Sequence, residues 1–407
     1  MNLNVIHAAQ LLTLQGPAAP RRGAALKELS IINDGAISIR DGEIQWVGPT
    51  DQIPDKGALE FDVSGKIVLP GFVDSHTHSV FARTRADEFE WRIQGTPYMD
   101  ILARGGGILS SVDAVRAATD LRIQHPRKFL EYGTTTIEAK SGYGLNLETE
   151  IRMLKAMAAP DRLEIIPTYL GAHAIPREFA CDRDGFVNQV IRDIESIHGR
   201  HLAEFCDVFV EPGVFTPDEA RRIFAKAKSI GMQIKIHADE FESSGGAALA
   251  VEVGATSADH LGAITPEDIA RIARSDVIAT LLPATLFTLG TTRYAPARKL
   301  IESGAAVALA TDFNPGTSPT LNMQFVLSLA CTQMKMTPAE AITAATVNGA
   351  CAVRRQARLG SIEPGKQADF SVYEVSDYRE IPYFAAVNFC VATFKRGEMV
   401  WRHESTC

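Results

Sequence analysis

Cysteine is scarce in this 407-residue chain, which has six, and no two of them form a C-x-x-C pair. Such scattered positions give no framework for disulfides or for a structural zinc site, so they predict reduced thiols in a cytosolic protein. The first residues lack the basic region and apolar run of a signal peptide, and no apolar stretch is long enough to span a bilayer. We therefore expect a cytoplasmic protein. The cysteines are Cys181, Cys206, Cys331, Cys351, Cys390 and Cys407.

Positive charge is also in deficit. Lys and Arg total 41 against 49 Asp and Glu, which gives a formal net charge of -8. Nucleic acids and anionic membranes reward a basic surface, so neither is expected as a partner. Hydrophobic residues at 46% and charged residues at 22% are typical of a globular protein, and the length allows one large barrel or two ordinary domains.

Both ends of the chain read as short strands joined by tight turns. Residues 36–47 alternate around Asp41-Gly42, a hairpin signal because this turn needs positive φ angles. Residues 368–375 and 390–401 show the same strand pattern, with a turn near Arg396-Gly397. Neither end is long enough for a core of its own, so we predict that they pair into one small β-sandwich.

Eight apolar runs occupy the centre, and most are followed by a helical pattern. Continuous β-branched runs flanked by helices are typical of parallel strands buried on both faces. Two helices, expected at residues 217–230 and 338–347, open with Pro after Thr. The runs are KIVLPGFVDSHTH, GTTTIEAKSGYG, LEIIPTYLGAH, CDVFVEPGVF, QIKIHADE, TSADHLG, VIATLLPAT and AAVALATDFNPG.

Eight strand–helix units predict an α/β fold, a closed (β/α)8 TIM-like barrel whose chemistry collects at the C-terminal strand ends. The alternative is a doubly wound open sheet, but no glycine-rich phosphate loop follows the first strand. The predicted division is residues 1–65 for the first part of the sandwich, 66–355 for the barrel and 356–407 for the second part of the sandwich.

Polar side chains close four of these runs: His76 and His78 the first, His237 the fifth, Asp259 and His260 the sixth, and Asp312 the eighth. Strand side chains alternate, so His76 and His78 point the same way and can reach one ion. An isolated H-x-H is more often a hydrogen-bonded pair, and each of the others alone could be a capping or packing residue. Their joint placement at one barrel mouth favours a metal site.

Three neutral imidazoles and one carboxylate suit Zn²⁺ or Fe²⁺. A divalent ion in such a site can lower the pKa of its water towards about 7 and supply a nucleophile at neutral pH.

This arrangement resembles the amidohydrolase superfamily, which has H-x-H after the first strand, His after the fifth and sixth, and Asp after the eighth. Residues 359–369 (LGSIEPGKQAD) resemble its re-entry into the flanking sandwich. Within the superfamily the chain is similar to the imidazolonepropionase family, most specifically through GGGILS, KSGYGL and TDFNPG. The resembling stretches are VDSHTHSVFARTRADEFEWR, YMDILARGGGILSSV, EAKSGYGL, TYLGAHAIP, KIHADEF, TSADHL and ATDFNPGTSPT.

The resemblance implies a role for each matching residue. Binuclear members carry a lysine after the fourth strand, where this chain has FVEPGVF, so one metal ion, Zn²⁺ or Fe²⁺, is expected. The matching metal ligands are His76, His78, His237 and Asp312. The matching substrate contacts are Arg85, Tyr143, His173, Glu240, Asn314, Gly316 and Thr317.

The implied reaction is hydrolysis of 4-imidazolone-5-propanoate, the small-molecule partner, to N-formimidoyl-L-glutamate in histidine degradation. Arg85 suits the propionate because a guanidinium is the best donor for a carboxylate. His260 and the metal would stabilise the developing oxyanion. Glu240 or Asp312 would move the proton from the water to the departing ring nitrogen. A homodimer is one assembly that the resemblance leaves open.

Ordinary structural roles stand beside these. Arg85 would form a surface ion pair with Asp87 or Glu88, while Tyr143 would be a loop aromatic and His173 a capping histidine. Gly316 with Pro315 would only make a turn.

Glu240 has two further interpretations, and the whole chain has two rival functions. The family has Gln or Glu at this position, so Glu240 either transfers a proton, contacts the substrate or caps the next helix. Because H-A-D-E resembles the H-x-x-E of aminohydrolases, a nucleobase or small-ring deaminase is one rival. A metal-free barrel that serves as a binding or assembly module is the other, since barrels host many functions.

Overall fold

Sixteen strands and fourteen α-helices have their bounds within residues 2–54, 57–96, 100–101, 104–158 and 162–403, which the computed structural model describes. The strands are β1 (Asn2–Leu12), β2 (Ile31–Arg40), β3 (Glu43–Pro49), β4 (Leu59–Asp62), β5 (Ile67–Pro70), β6 (Phe72–Thr77), β7 (Thr134–Lys140), β8 (Glu164–Ala172), β9 (Phe205–Val210), β10 (Gln233–Ala238), β11 (Ser257–His260), β12 (Ile278–Leu281), β13 (Ala306–Leu309), β14 (Phe370–Tyr373), β15 (Cys390–Lys395) and β16 (Glu398–Arg402).

The helices are α1 (Ala86–Ile93), α2 (Ile108–Ala117), α3 (Pro126–Glu131), α4 (Leu147–Met157), α5 (Arg183–Gly199), α6 (Pro217–Ser229), α7 (Gly246–Val253), α8 (Pro266–Ala273), α9 (Pro283–Thr288), α10 (Ala297–Glu302), α11 (Met323–Met334), α12 (Pro338–Ala345), α13 (Val347–Ala352) and α14 (Glu380–Tyr383). Short 3₁₀ turns lie at Gly23–Lys27, Thr50–Gln52 and Arg177–Phe179.

The central strands β6 to β13 form one parallel sheet in sequence order. The first strand, β6, meets the segment that follows β13 through a bridge between Thr77 and Phe313. There the His78 amide donates to the Phe313 carbonyl at 2.8 Å, and the Asp312 amide donates to the His76 carbonyl at 3.0 Å. The predicted barrel is confirmed, and the open sheet is excluded.

The first predicted barrel run is two strands, not one. The chain divides at Gly71, so β5 pairs with β1 and β14 in the terminal sheet while β6 opens the barrel. A Cβ at Gly71 would lie 2.3 Å from the side chain of Thr135, which leaves no room for any larger residue. The continuous apolar sequence concealed this break because both strands are buried.

The two chain ends build one mixed sheet in the order β16-β15-β14-β5-β1-β2-β3, with β4 on β1. Asp41 and Gly42 turn between β2 and β3 at φ angles of 52° and 85°, as the sequence predicts. Apolar side chains from both ends share one core, in which the ring of Phe61 lies 5.3 Å from that of Phe394. The predicted pairing of the ends is confirmed.

Both predicted helices form, with capped N-termini. In α6 and α12 a threonine side chain accepts the third amide and a glutamate returns the bond, which satisfies two otherwise unpaired donors. The second helix is shorter than predicted because the backbone at Thr346 leaves helical geometry before α13 begins.

Five cysteines are free, as expected, while Cys407 and residues 98, 99, 102 and 103 of the YMDILARGGGILSSV stretch lie outside the described residues. None of the described helices combines the length and the apolar character needed to cross a membrane.

Asn348 on α13 joins the N-terminal segment to the barrel. Its side chain accepts from the Arg21 amide at 2.7 Å and donates to the carbonyls of Arg21 and Val307 at 2.9 and 2.8 Å, all in a fully buried position.

Asn348→Ala would leave these groups unsatisfied, so we expect a loss of about 1–3 kcal/mol in the free energy of unfolding. Urea denaturation measures it. Asn188→Ala, on the partly exposed face of α5, is the control and should stay within about 0.5 kcal/mol of wild type.

Candidate metal centre and active site

Three histidines and one aspartate converge at the C-terminal end of the barrel. Nε2 of His76 and Nε2 of His78 each lie 3.6 Å from Oδ1 of Asp312. Nε2 of His237 lies 3.3 Å from Nε2 of His78. His76 lies on β6 and His78 directly follows that strand. His237 lies on β10 and Asp312 in the segment after β13, so parts of the barrel that are distant in sequence supply one cluster.

Two buried carboxylates fix the direction of two of these imidazoles. Nδ1 of His76 lies 2.7 Å from Oδ2 of Asp259 on β11. Nδ1 of His237 lies 3.0 Å from Oδ2 of Asp207 on β9. The hydrogen bond to Asp259 places the hydrogen of His76 on Nδ1, so its Nε2 presents a lone pair to the centre of the cluster. The carboxylate of Asp207 at 3.0 Å favours the same tautomer of His237.

The cluster is held in the protonation state that a metal requires. Burial lowers the pKa of His76 and of His78 well below its ordinary value, so both rings are neutral at pH 7. Burial raises the pKa of Asp312 to about 6 against the hydrogen bond from Thr285, whose hydroxyl donates at 2.6 Å. Asp312 is therefore ionised at neutral pH.

The donor set fits a divalent ion. Nε2 of His76 is buried without a hydrogen-bond partner. The Nε2 atoms of His78 and His237 lie 3.3 Å apart, so either one of them carries a hydrogen or a cation lies between them. Ligands about 2.0–2.2 Å from one tetrahedral ion lie about 3.3–3.6 Å apart, as these atoms do. Both overlapping candidate groups, His76 with His78 and His237, and His76 with His260 and Asp312, keep their donor atoms within 4.8 Å of one another.

His260 and Glu240 lie beside this cluster. Nδ1 of His260 is 3.5 Å from Oε1 of Glu240, and its ring is 5.3 Å from that of His237. Burial lowers the pKa of His260, which keeps the ring neutral. Burial, together with Asp312 and Glu211, raises the pKa of Glu240 well above its ordinary value, so this carboxyl is easily protonated.

A cavity of about 380 Å³ extends from the cluster to a pair of arginines. Arg85 is buried rather than at the surface, and its Nε lies 3.8 Å from Glu88, while Asp87 pairs with Arg83 instead. The Arg85 side chain lines the cavity, and its buried Nε has no hydrogen-bond partner.

Tyr143 and His173 line the same cavity beside the cluster. The ring of His173 stacks on His78 at 4.9 Å and 17°, and Tyr143 lies 5.3 Å from His173. Nδ1 of His173 lies 3.0 Å from the carbonyl of Gly142, and burial lowers its pKa to about 3. His173 therefore packs against the proposed ligand His78 and does not only cap a helix.

The predicted substrate loop after β13 is locked by its own asparagine. Oδ1 of Asn314 accepts from the amides of Gly316 and Thr317 at 2.8 and 2.7 Å, and Nδ2 donates to the carbonyl of Asp312 at 2.7 Å. Asn314 and Thr317 line the cavity. The Gly316 amide is engaged within the loop, and its carbonyl accepts from Arg92 at 3.0 Å.

Several residues around the site belong to no motif that marks them as functional. Carboxylates that hold the loops carrying candidate residues are Glu150, which accepts from the amides of Gly142, Gly144 and Leu145, and Glu211, which accepts from those of Glu240, Phe241 and Glu242. Lys140 and Asp207 could have been found, because each is a charged residue inside a run predicted to be buried on both faces. Arg92 carried no such signal.

Comparison with known proteins agrees with this architecture. A profile described as "Amidohydrolase family" matches residues 67–400. An imidazolonepropionase from Solibacter usitatus is 48% identical, with 98% of this chain and 99% of the relative covered. The chain belongs to the amidohydrolase family. An imidazolonepropionase from Geobacillus thermodenitrificans is 45% identical and covers 100% of this chain and 99% of its own length.

A solved structure described as an adenosine deaminase from Xanthomonas campestris with bound zinc has a TM-score of 0.69 at 19% identity, covering 98% of this chain and 92% of that one. At this identity it shows the fold alone. The predicted resemblance and enzyme class are confirmed: the chain is an amidohydrolase of the imidazolonepropionase branch, a hydrolase of carbon–nitrogen bonds.

If His237 is a ligand, His237→Ala should lower zinc affinity by more than the roughly 10–100-fold that loss of an outer partner costs, because a coordinating atom would be lost. His76→Ala and His78→Ala should behave likewise, and each should abolish turnover with the fold intact. Metal content after dialysis measures the loss of zinc, an activity assay measures the loss of turnover, and circular dichroism checks the fold. His201→Ala removes an exposed histidine and should change neither. Full metal content in a folded variant would remove that histidine from the ligand set.

Proposed function

We propose that this chain hydrolyses 4-imidazolone-5-propanoate to N-formimidoyl-L-glutamate, a step of histidine degradation. One observation carries the proposal: a single cavity has a metal-type cluster at one end and the buried guanidinium of Arg85 at the other. A ring amide joined by a short linker to a carboxylate is complementary to both ends. The names of relatives with 42–48% identity support the same substrate.

One divalent ion, Zn²⁺ or Fe²⁺, would be held by His76, His78, His237 and Asp312. When bound, it would supply Lewis acidity and an activated water. The zinc in the Xanthomonas campestris deaminase supports this class of ion, and metal analysis of the purified protein separates zinc from iron.

The protein groups would carry the charge and the proton. Attack of water on the ring carbonyl places negative charge on its oxygen, where the neutral imidazole of His260 can donate an N–H. Asp312 would take the proton from the water and return it to the ring nitrogen as the C–N bond breaks.

Glu240 would contact the substrate. A carboxyl whose pKa is raised by burial presents an O–H donor, and an amide presents an N–H donor in the same place. This equivalence supports a positioning role, in which Gln can replace Glu. Arg85, Tyr143, His173, Asn314, Gly316 and Thr317 would form the rest of the substrate site.

The purified protein should be assayed with fresh imidazolone propanoate while its bound metal is measured. Ring opening in proportion to metal content would support the proposal. Turnover of guanine or cytosine without turnover of the imidazolone would favour a deaminase, and a metal-free, inactive protein would favour a binding module.

We also propose that the protein is cytosolic and forms a homodimer. The proposed domain bounds are residues 1–65 and 356–407 for the two parts of the sandwich and 66–355 for the barrel.

Arg85→Lys should raise the Michaelis constant about 10–100-fold with a much smaller change in turnover, since a point charge replaces a fork remote from the scissile bond. Steady-state kinetics measure both constants. Arg83→Lys, on an exposed arginine nearby, is the control. An unchanged Michaelis constant with collapsed turnover would contradict the role of Arg85.

Glu240→Gln should keep its metal and most of its turnover if Glu240 only contacts the substrate. A general base would instead cost roughly 10²–10⁴-fold, and the rate would fall as pH drops through the raised pKa of Glu240 because the base must be ionised. The pH–rate profiles of the variant and wild type decide. A large loss together with a vanished acidic limb would make Glu240 the base.

A further inference from the structure

Lys140 is a buried ammonium that lies beneath the candidate metal centre. It ends β7 and has no exposed surface. Its Nζ donates to Oε1 of Glu138 at 2.7 Å and to Oδ2 of Asp207 at 2.8 Å, and it lies 3.8 Å from Oδ2 of Asp259. A charge buried this deeply is costly unless it is closely paired, so these contacts determine its position.

Two of its partners are the carboxylates that orient the candidate ligands. Asp207 faces Nδ1 of His237 at 3.0 Å, and Asp259 faces Nδ1 of His76 at 2.7 Å. One ammonium therefore contacts both carboxylate–imidazole pairs, although these pairs come from four different strands.

Lys235 provides a useful contrast. It is equally buried, but its Nζ donates to the carbonyl of Ser75 at 2.6 Å and lies 3.6 Å from Asp259. Asp207 is its register partner on β9, but within the described residues the two form no hydrogen bond or ion pair. Lys235 can thus assist one ligand pair, whereas Lys140 contacts both.

We infer that Lys140 is a positioning residue that fixes His76 and His237 together as metal ligands. Without its charge, Asp207, Asp259 and Glu138 would repel one another in a buried site. The carboxylates would move apart, and the two imidazoles would lose the acceptors that turn their Nε2 atoms towards one point. The inference rests on the proposed ligand set, not on the identity of the substrate.

The test uses metal alone. Lys140→Met keeps the length of the side chain and removes its charge. Its Zn²⁺ affinity should fall about 10–100-fold, the usual cost of losing an outer-shell partner. The visible absorption spectrum of the Co²⁺-loaded protein should change, since it reports the ligand geometry. Lys235→Met is the matched comparison and should show the smaller effect in both measurements.

A double-mutant cycle separates positioning from general support of the fold. If Lys140 acts through Asp207, Lys140→Met should weaken Zn²⁺ binding much less in an Asp207→Asn background than in wild type. Additive losses would contradict this route. Should Lys140→Met fail to fold, Glu138→Gln with Lys140→Met removes one charge of each sign and serves in its place.

A folded variant with wild-type Zn²⁺ affinity and an unchanged Co²⁺ spectrum would overturn the inference. Wild-type protein that binds neither ion would overturn the ligand set and the inference with it. A protein that binds metal as described yet leaves imidazolone propanoate intact would refute the proposed reaction alone.

Discussion

Closure of the barrel between its first and last strands is the constraint on which the site depends. The backbone bonds of His76 and His78 to Asp312 and Phe313 fasten β6 to the segment after β13. The H-x-H pair and the aspartate are more than two hundred residues apart in sequence. These bonds bring Nε2 of each histidine to 3.6 Å from Oδ1 of Asp312. The fold and the candidate metal centre therefore share the same few hydrogen bonds.

The barrel mouth is built from irregular loops, which carboxylates hold in place. Glu150, Glu211 and Asp239 each accept several amides from one loop after a barrel strand. Buried backbone donors must be satisfied, and a single carboxylate can satisfy three of them where no strand neighbour exists. Candidate binding residues such as Tyr143 and Glu240 thus sit on loops whose backbone is fixed.

The sequence predicts the elements that obey a regular pattern. It predicts eight buried runs and two hairpin turns because alternation and turn chemistry are local. It predicts the ligand set because those residues end strands that a barrel must bring together. By contrast, the break at Gly71 depends on Thr135, and the capture of the Gly316 amide depends on Asn314, so both follow from three-dimensional contacts. The partners of Lys140 are likewise visible only once four strands are assembled.

The segment from Asp312 to Gly316 sets the distance between the two ends of the cavity. Asp312 belongs to the metal-type cluster, whereas a Cβ at Gly316 would lie 1.3 Å from Nη2 of Arg85, so that guanidinium rests on the glycine backbone. The side chain of Asn314 donates a hydrogen bond to the Asp312 carbonyl and accepts one from the Gly316 amide, which holds the segment rigid. One short segment therefore carries a member of the cluster and also supports Arg85, and a side chain at Gly316 would collide with that guanidinium.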